Sequence, residues 1–403
     1  MQSGNYAQTN GSIFIGNTTE KNSILGFISK NTSDGYRHNT DYDYTQYFIK
    51  SSFNQHKTPL ELIATYSGRN FGANGFYASP SAVDQYEETQ ASLISLSQRH
   101  TKNDWIFKPK VYWRRGQDMY EYIRDKPEIY RNLHVTNKLG AAFDASAASP
   151  WGLTGMGFDV SRVSIRSNNL GQRSRTMMNF FLEHRFYLLE KRVDITPGIA
   201  ANYFSDFGTH SFPGIDLGWQ ISTKVRLYAN TGRTFRIPTF TDLYYSDRTT
   251  LGNLDLKPEE ATSNEIGIRF SNPKVTASIA LFSRKAKNLI DFVKDSNDDS
   301  IPFKAENIQQ VNTSGIDLEF IHQIKLNNLT HQFKISYSYL ENTLENSAYN
   351  FSRYSINNDL KNHFIGSYFL PIRKNLSGNF VYKYVERTSG DEYSVVDLSL
   401  IHI

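Results

Sequence analysis

Acidic and amide side chains recur at alternate positions in the segment DSNDDSIPFKAE, residues 295–306. Four of them stand at the oxygen-ligand positions of a calcium loop, a pattern that Ca²⁺ favours: Asp295, Asn297, Asp299 and Glu306. The pattern departs at Ser300, where the sharp turn needs glycine, and Pro302 disturbs it further. The segment is therefore a candidate calcium site, and the alternative is the polar tip of a hairpin.

Motifs for catalysis are missing from the sequence. It contains no G-x-S-x-G, H-E-x-x-H, P-loop or dinucleotide fingerprint, and the absence of cysteine excludes a disulfide framework and a thiol nucleophile. Adjacent carboxylates such as Glu87-Glu88 and Glu259-Glu260 point to opposite faces of a strand, so they do not form an acid/base pair. We expect no enzyme, no catalytic residue and no cofactor apart from the candidate calcium. The small net charge of +4 and the lack of a basic run predict no nucleic-acid partner.

Strict alternation of apolar and polar residues dominates the chain. In 215–230, one parity carries Ile215, Leu217 and Trp219, and the other carries Asp216 and Gln220. Comparable runs occur at 60–67, 105–114, 133–144, 192–203, 263–271, 315–325, 333–339 and 376–384. Because successive side chains of a strand point to opposite faces, the runs predict strands with one apolar and one polar face. We count roughly seventeen or eighteen such segments, many near the ~10 residues that a tilted strand needs to cross a bilayer.

The aromatic content and the unequal lengths of the connections favour a membrane β-barrel over a soluble sheet protein. Aromatic residues make up 14% of the 403 residues, and mean hydropathy is −0.52. Barrel rims take aromatic rings because these suit the boundary between hydrocarbon and water. Connections are unequal: Leu189–Lys191 and Asn272–Lys274 are short, while the long, polar ones are predicted at 116–131, 233–260, 286–312 and 341–356. Short turns on one side and long loops on the other are typical of transmembrane barrels.

One long segment resembles a known family. Residues 230–270, NTGRTFRIPTFTDLYYSDRTTLGNLDLKPEEATSNEIGIRF, are similar to a signature of TonB-dependent outer-membrane receptors, especially the cobalamin-receptor-like and Bacteroidetes branches. Supporting stretches lie at 33–44, 70–90 and 312–320. Pro238 should end the strand before it, since proline fixes φ and restricts the residue that precedes it. The alternative is that the signature residues only shape a long loop.

The resemblance implies a transmembrane antiparallel β-barrel of the 22-stranded type that is closed by an N-terminal plug. The chain resembles only the barrel part, so we expect residues 1–403 to be a partial barrel domain without the plug and without its last strands. An open sheet in lipid would leave unpaired edges, so a stable protein would need the missing strands.

Ligand contacts are expected in the outer loops, where aromatic and polar groups converge. By their position in the segment that resembles the family, the best candidates are Arg236, Tyr244, Tyr245, Asp247 and Arg248. Tyrosine supplies contact area with a hydroxyl group, and arginine can bind carboxylate or phosphate. Receptors of the cobalamin type hold calcium in acidic outer loops, which is the reason to retain the candidate at 295–306.

The resemblance implies a receptor in the outer membrane of a Gram-negative cell. It would bind a corrinoid or a ferric siderophore and import it with energy from the TonB complex of the inner membrane, which would act through the plug. Two alternatives remain from the pattern: a passive porin-like or secretion barrel, and a secreted soluble β-protein that acts on glycans.

Overall fold

The computed structural model describes residues 2–54, 58–77, 79–295, 298, 300–345, 351–352 and 359–402. The chain divides into two compact units. Unit 1 comprises residues 1–182 and 200–211, and unit 2 comprises residues 183–199 and 212–403. The described part of the chain contains 23 strands and one short helix. None of its helical structure has the length and apolar character needed to cross a membrane.

The strands that lie wholly in unit 1 are β1 Gln2–Ser3, β2 Thr9–Thr18, β3 Asn22–Ser33, β4 Tyr42–Phe53, β5 Leu60–Gly72, β6 Tyr86–Gln98, β7 His100–Lys102, β8 Trp105–Glu121, β9 Arg131–Ser149 and β10 Gly152–Ser167. The unit boundary falls within β11 Gly171–Leu188, β12 Val193–Phe204 and β13 Gly208–Gln220. Unit 2 continues with β14 Val225–Arg236, α1 Phe240–Tyr244, β15 Thr250–Leu251, β16 Glu259–Ser271, β17 Val275–Lys294, β18 Phe303–Leu326, β19 Leu329–Glu345, β20 Phe351–Ser352, β21 Leu360–Arg373, β22 Leu376–Arg387 and β23 Glu392–His402.

Strands that follow one another along the chain pair antiparallel in both units. The exception among the described pairings is β15, which pairs parallel with β18 through Thr250 and Phe303. Four of the strands are only two or three residues long. The number of long strands is therefore close to the number that alternation predicts.

The two faces of the strands differ as the sequence predicts. In β8 and β9, one face carries Trp105, Val111 and Leu139, and Leu139 is 64% exposed. The other face of the same strands carries Lys110 and Lys138. We call these the apolar face and the polar face. In unit 2, Leu217, Leu227 and Ile268 likewise share a face across three paired strands.

Turns at one end of the strands are short. Asn272–Lys274 joins β16 to β17, and the Asn272 side chain accepts hydrogen bonds from the backbone N–H groups of Lys274 and Val275 at 2.8 and 2.7 Å. Leu189, Glu190 and Lys191 form the turn after β11 with φ of 48, 55 and 66°. Both turns lie where the sequence predicts them.

Two of the long loops are shorter than the sequence predicts. Strand extends into both ends of 116–131 and 286–312, because β8 pairs with β9 as far as Glu121 and Arg131, and β17 pairs with β18 as far as Val293 and Lys304. The first loop is therefore confined to 122–130, and most of 286–312 is strand. The outer part of β17 carries apolar residues on both faces, at Leu289, Ile290, Phe292 and Val293, and that of β8 mixes polar residues with Met119 and Tyr120, so side-chain alternation disappears. The backbone hydrogen bonds of an antiparallel ladder need no alternation, so pairing continues. The predicted loop at 341–356 begins as strand through Glu345, and 346–350 and 353–358 lie outside the described residues.

Candidate functional site

The loop of residues 237–258, here the signature loop, begins where β14 ends at Arg236. Pro238 is almost fully buried at the start of this loop. Thr239 then caps α1: its hydroxyl accepts from the Asp242 backbone N–H at 3.1 Å, and the Asp242 carboxylate accepts from the Thr239 N–H at 2.9 Å. Such a reciprocal capping box satisfies two amide groups that the first turn leaves free.

A single arginine joins the start of the signature loop to its end. The Arg236 guanidinium donates two hydrogen bonds to the Glu259 carboxylate, from Nε at 2.7 Å and from Nη2 at 2.6 Å. It donates a third to Asp242 Oδ2 at 3.2 Å. The Glu259 and Asp242 side chains are only 12% and 11% exposed. We call these three residues the Arg236 clasp.

The Arg236 clasp also affects the pKa of its arginine. Its hydrogen bonds to Glu259 raise the pKa of Arg236 above its ordinary value, and partial burial only partly offsets this. The Glu259 carboxylate also accepts from the Ile290 backbone N–H at 2.8 Å, so the clasp reaches β17. Planar arginine suits this role because its fork of N–H groups matches a carboxylate with two parallel hydrogen bonds.

The middle of the signature loop is bound to β18 by a strand pairing and by side-chain hydrogen bonds. β15 adds its parallel pairing there, and the Asn253 amide donates to the Glu306 carboxylate at 3.2 Å. The Asn307 side chain accepts from the Lys257 N–H at 2.8 Å and donates to the Lys257 carbonyl at 2.9 Å. Buried apolar side chains accompany these bonds on both partners: Leu243, Leu256, Ile290, Phe292, Val293, Ala305 and Ile308. The loop is therefore packed like a small core.

Gly252 is needed for a close approach inside the signature loop. A Cβ atom at this position would lie 2.7 Å from the Leu243 carbonyl carbon and 2.8 Å from its oxygen. The Gly252 N–H donates to the Tyr245 carbonyl at 2.6 Å, and the Asn253 N–H donates to the Asp242 carbonyl at 2.9 Å. Only a residue without a side chain lets the backbone return this closely.

All five predicted ligand contacts lie in or next to the signature loop, but their surroundings differ. Arg236 belongs to the clasp. Tyr245 donates its hydroxyl to Asp247 at 3.0 Å, and Asp247 also accepts from the Thr249 N–H at 2.7 Å. Tyr244 is half-buried, and Arg248 is exposed. The structure thus engages Arg236, Tyr245 and Asp247 with other protein groups, while Arg248 faces solvent.

The candidate calcium residues lie only partly in the described chain. Asn297 and Asp299 are outside the described residues. Glu306 lies in β18, where it accepts a hydrogen bond from Asn253 at 3.2 Å and pairs with Lys304 at 2.5 Å. Asp295 follows the end of β17 and is exposed. Among the residues that the structure describes, no group of three or more carboxylate or imidazole side chains could hold a metal ion. The calcium site stays a prediction.

Three loops of unit 1 form a second region in which hydrogen bonds join neighbouring loops. Their described residues are 34–41, 73–77, 79–85 and 122–130, and we call them the loop cluster. Arg124 donates two parallel hydrogen bonds to Asp41 at 2.6 and 3.0 Å and a third to Asn39 at 3.2 Å. Its guanidinium lies 4.6 Å from the ring centre of Tyr86. Hydrogen bonding to Asp41 raises the pKa of Arg124 above its ordinary value.

Amide side chains complete the loop cluster. The Asn39 side chain donates to the backbone carbonyls of Val83 and Gln85 at 2.9 and 2.6 Å. Gln85 is fully buried, donates to the Tyr120 hydroxyl at 2.8 Å and accepts from the Tyr77 N–H at 3.1 Å. Sequence reasoning did not single out these residues. The usable signal was the family resemblance of 33–44 and 70–90, which contain Asn39, Asp41 and Gln85.

Comparison with known proteins shows the family of this chain. The chain matches the family described as "TonB dependent receptor-like, beta-barrel" over residues 5–400. The chain belongs to the TonB-dependent receptor family. The transmembrane barrel fold and the family resemblance predicted from the sequence are confirmed, and so is the location in the outer membrane of a Gram-negative cell.

Two vitamin B12 transporters, each named BtuB, resemble this receptor in sequence. The protein from Vibrio vulnificus is 33% identical over 119 residues, or 30% of this chain, and that from Photobacterium profundum is 30% identical over 113 residues, or 28% of this chain. The alignments span only 19% and 18% of those transporters' own length.

Solved structures agree in fold. The siderophore receptor PirA from Pseudomonas aeruginosa superposes with a TM-score of 0.75 at 13% identity, covering 97% of this chain and 69% of that one. The copper transporter OprC gives a TM-score of 0.78 at 12% identity, covering 99% and 71%. At such identities the likeness concerns the fold alone.

Proposed function

We propose that this receptor binds a scarce nutrient outside the cell and imports it across the outer membrane with energy from the TonB complex. The observation that carries the proposal is the family match over residues 5–400. Strands with one apolar and one polar face support it, because lipid contacts one face while a transport path needs the other. The energy-transducing partner would act through a plug domain, which residues 1–403 do not resemble.

A corrinoid is the first candidate cargo. The relatives with the higher sequence identity, 33% and 30%, are both named vitamin B12 transporters. A ferric siderophore is the second candidate, since structures named as siderophore receptors share the fold. Their identity of 13% makes this the weaker argument. No step of the proposed function makes or breaks a bond in the cargo, so the receptor acts as a transporter and not as an enzyme.

Within the signature loop, the surroundings favour Arg248 and Tyr244 as cargo contacts over Arg236. The Arg236 guanidinium has three hydrogen bonds to carboxylates that are themselves nearly buried. Using it for a ligand would leave those carboxylates without their cation, which is costly. Arg248 is exposed, so its guanidinium can bind an anionic group without that penalty.

Binding and uptake by the full-length receptor test the proposal. Isothermal titration of the receptor purified from outer membranes would compare cyanocobalamin with a ferric catecholate siderophore. Growth of a deletion strain on limiting corrinoid, with and without an intact TonB gene, would test import. Binding of cyanocobalamin with TonB-dependent growth is the expected result. Corrinoid-dependent growth that persists without TonB would reject active import in favour of a passive channel.

The candidate residues and the calcium loop have their own test in the same titration. We expect Arg248→Ala and Tyr244→Ala to weaken binding of the cargo, while Arg233→Ala, an exposed arginine of β14, should leave it unchanged. A titration with Ca²⁺ that shows no heat of binding in the intact receptor would end the proposal of a calcium site at 295–306.

A further inference from the structure

The apolar face of β8, β9 and β10 has a defined upper limit. On β8 this face carries, in order, Trp105, Phe107, Pro109, Val111 and Trp113. Eight residue steps of an antiparallel strand cover about 27 Å, close to the height of the apolar band of a membrane barrel. Trp113 forms its upper edge, on the side of the long loops. Tryptophan is enriched at this level because its ring is amphipathic.

Three arginines lie on the same face at and just above this edge. Arg115 lies opposite Asn137 of β9, and Asn137 lies opposite Ser164 of β10, between Arg162 and Arg166. Neighbouring strands are about 4.8 Å apart, so β8 and β10 are separated by about 10 Å. Long arginine side chains span that distance and can converge on one group. We call Arg115, Arg162 and Arg166 the arginine patch.

Neutral groups are the only hydrogen-bond partners of the arginine patch in the described chain. Arg115 donates to the Gln117 side-chain oxygen at 3.2 Å, and Arg162 donates to the Ser174 hydroxyl at 3.3 Å. No ion pair with a carboxylate involves any of the three arginines among the described residues. Three positively charged residues therefore lie on one face without a carboxylate partner among the described residues.

Two other cationic side chains on this face of unit 1 do have carboxylate partners. Lys30 of β3 pairs with Asp43 of β4. Arg131, at the start of β9, lies 3.9 Å from the Glu121 carboxylate. Unlike these two cations, the arginines of the patch have no carboxylate partner among the described residues.

We propose that the arginine patch binds the phosphate of a lipid headgroup in the outer leaflet of the membrane. The family places the apolar face against lipid, and long loops are on the outer side of such barrels. Arginine binds phosphate with paired hydrogen bonds, and basic clusters beside a membrane-spanning segment attract anionic headgroups. Because the patch lies on the lipid side of the strands, its occupant is a lipid and not the cargo. The inference is thus independent of the nutrient that the receptor imports.

The test compares lipid binding by two triple variants of the full-length receptor. The first, Arg115→Gln/Arg162→Gln/Arg166→Gln, removes the patch. The matched control, Lys110→Gln/Arg114→Gln/Lys138→Gln, removes the same charge from the polar face of neighbouring strands. Native mass spectrometry in detergent would be titrated with a soluble short-chain phosphatidic acid as the probe, and heat-modifiable gel migration would verify folding. If the first variant fails to fold, the three single Arg→Gln variants replace it.

Loss of the patch should weaken binding of the probe by about five-fold for each arginine, on the order of 100-fold for all three. The control variant should bind like the unmodified receptor, and a triple Arg→Lys variant should lie between the two because it keeps charge without the planar fork. Equal binding by the patch variant and the unmodified receptor would overturn the proposal. So would an equal loss in both triple variants. Displacement of the probe by inorganic phosphate at similar concentration would show an anion site without lipid preference, which also contradicts it.

Discussion

The signature loop of unit 2 and the loop cluster of unit 1 are both held by one arginine, yet they differ in the environment of its partners. The clasp carboxylates Asp242 and Glu259 are 11% and 12% exposed, whereas Asp41 is 36% exposed. An ion pair with nearly buried carboxylates is expensive to break, because the remaining charges lose their partner in a poorly solvated place. An ion pair near the surface contributes less to stability, because water solvates both charges and screens the attraction between them.

The same chemistry therefore gives a rigid region in unit 2 and a more easily opened one in unit 1. The signature loop adds a strand pairing, a close backbone approach and buried apolar side chains to its clasp. The loop cluster also has a close backbone approach, of Gly72 to Asn39, but its buried apolar residues are only the small Ala73 and Ala82, and side-chain amides and Arg124 supply its cross-links. Regions of low local stability are those that can move on ligand binding. This comparison predicts that conformational change on cargo binding involves the loop cluster more than the signature loop.

The largest expected effect is that of Arg236→Ala. It leaves two nearly buried carboxylates without a cation, a change that costs about 3–5 kcal/mol for a fully buried pair. Since Arg236 itself is 44% exposed, we expect about 2–3 kcal/mol of local stability to be lost. Hydrogen exchange of the Asn253 and Ile290 amide groups, whose acceptors belong to the clasp, would measure it. Arg233→Ala on the same strand is the control, and equal protection in both variants would contradict the clasp.

Gly252→Ala should come next. Its Cβ would stand 2.7 Å from the Leu243 carbonyl carbon, which is backbone and cannot rotate away. Forcing such an overlap costs about 1–3 kcal/mol. We expect faster proteolysis within the signature loop, whereas Gly116→Ala, which meets no atom within 4 Å, should cause no change there. An unchanged cleavage rate for Gly252→Ala would show that the loop is looser than the structure indicates.

Arg124→Ala should have a smaller effect, about 1 kcal/mol, because both members of its ion pair are about one-third exposed. Amides of the loop cluster should exchange faster, and those of the signature loop should not. Lys126→Ala, an exposed cation of the same loop, is the matched control. If the loss equals that of Arg236→Ala, the difference in burial does not decide the stability of the two regions.

The smallest effect concerns alkaline pH. The pKa of Arg236 is raised, so its contribution is complete below the ordinary arginine value and is lost only at still higher pH. Arg236→Lys places a group with an ordinary pKa of about 10.4 in the clasp. Protection of the Ile290 amide should therefore stay constant toward pH ~11 in the unmodified receptor, relative to amides elsewhere, and should fall in the lysine variant as lysine loses its proton. Parallel behaviour of the two proteins would contradict an arginine-specific clasp.

Local patterns made much of the fold predictable. Alternation in 215–230 identified the faces of β13 and β14, and Pro238 correctly marked the end of β14. Both are properties of residues close together in the sequence, where backbone geometry alone sets the outcome. The outer ends of β8 and β17 were missed because apolar and polar residues do not alternate there, although their backbones pair.

The contacts of the candidate site were not predicted from the sequence. Arg236 and Asp242 are six residues apart and Glu259 follows within the same segment, but the sequence analysis did not predict that the three meet. Their role as a clasp was not predicted either, since a charged residue in a loop looks the same whether it binds a ligand or a neighbour. Asp41 and Arg124 are 83 residues apart, and no local pattern links them.

The sequence by itself determined that this chain forms two-faced strands and belongs with the receptors whose signature it carries. The period of a strand is two residues, so each run of side chains specifies its own faces. Only the tertiary structure decided which charges meet: Arg236 with nearly buried carboxylates, Arg124 with Asp41, and Arg115, Arg162 and Arg166 with none among the described residues. Strand register and loop packing set these distances, and neither is encoded within a single short segment.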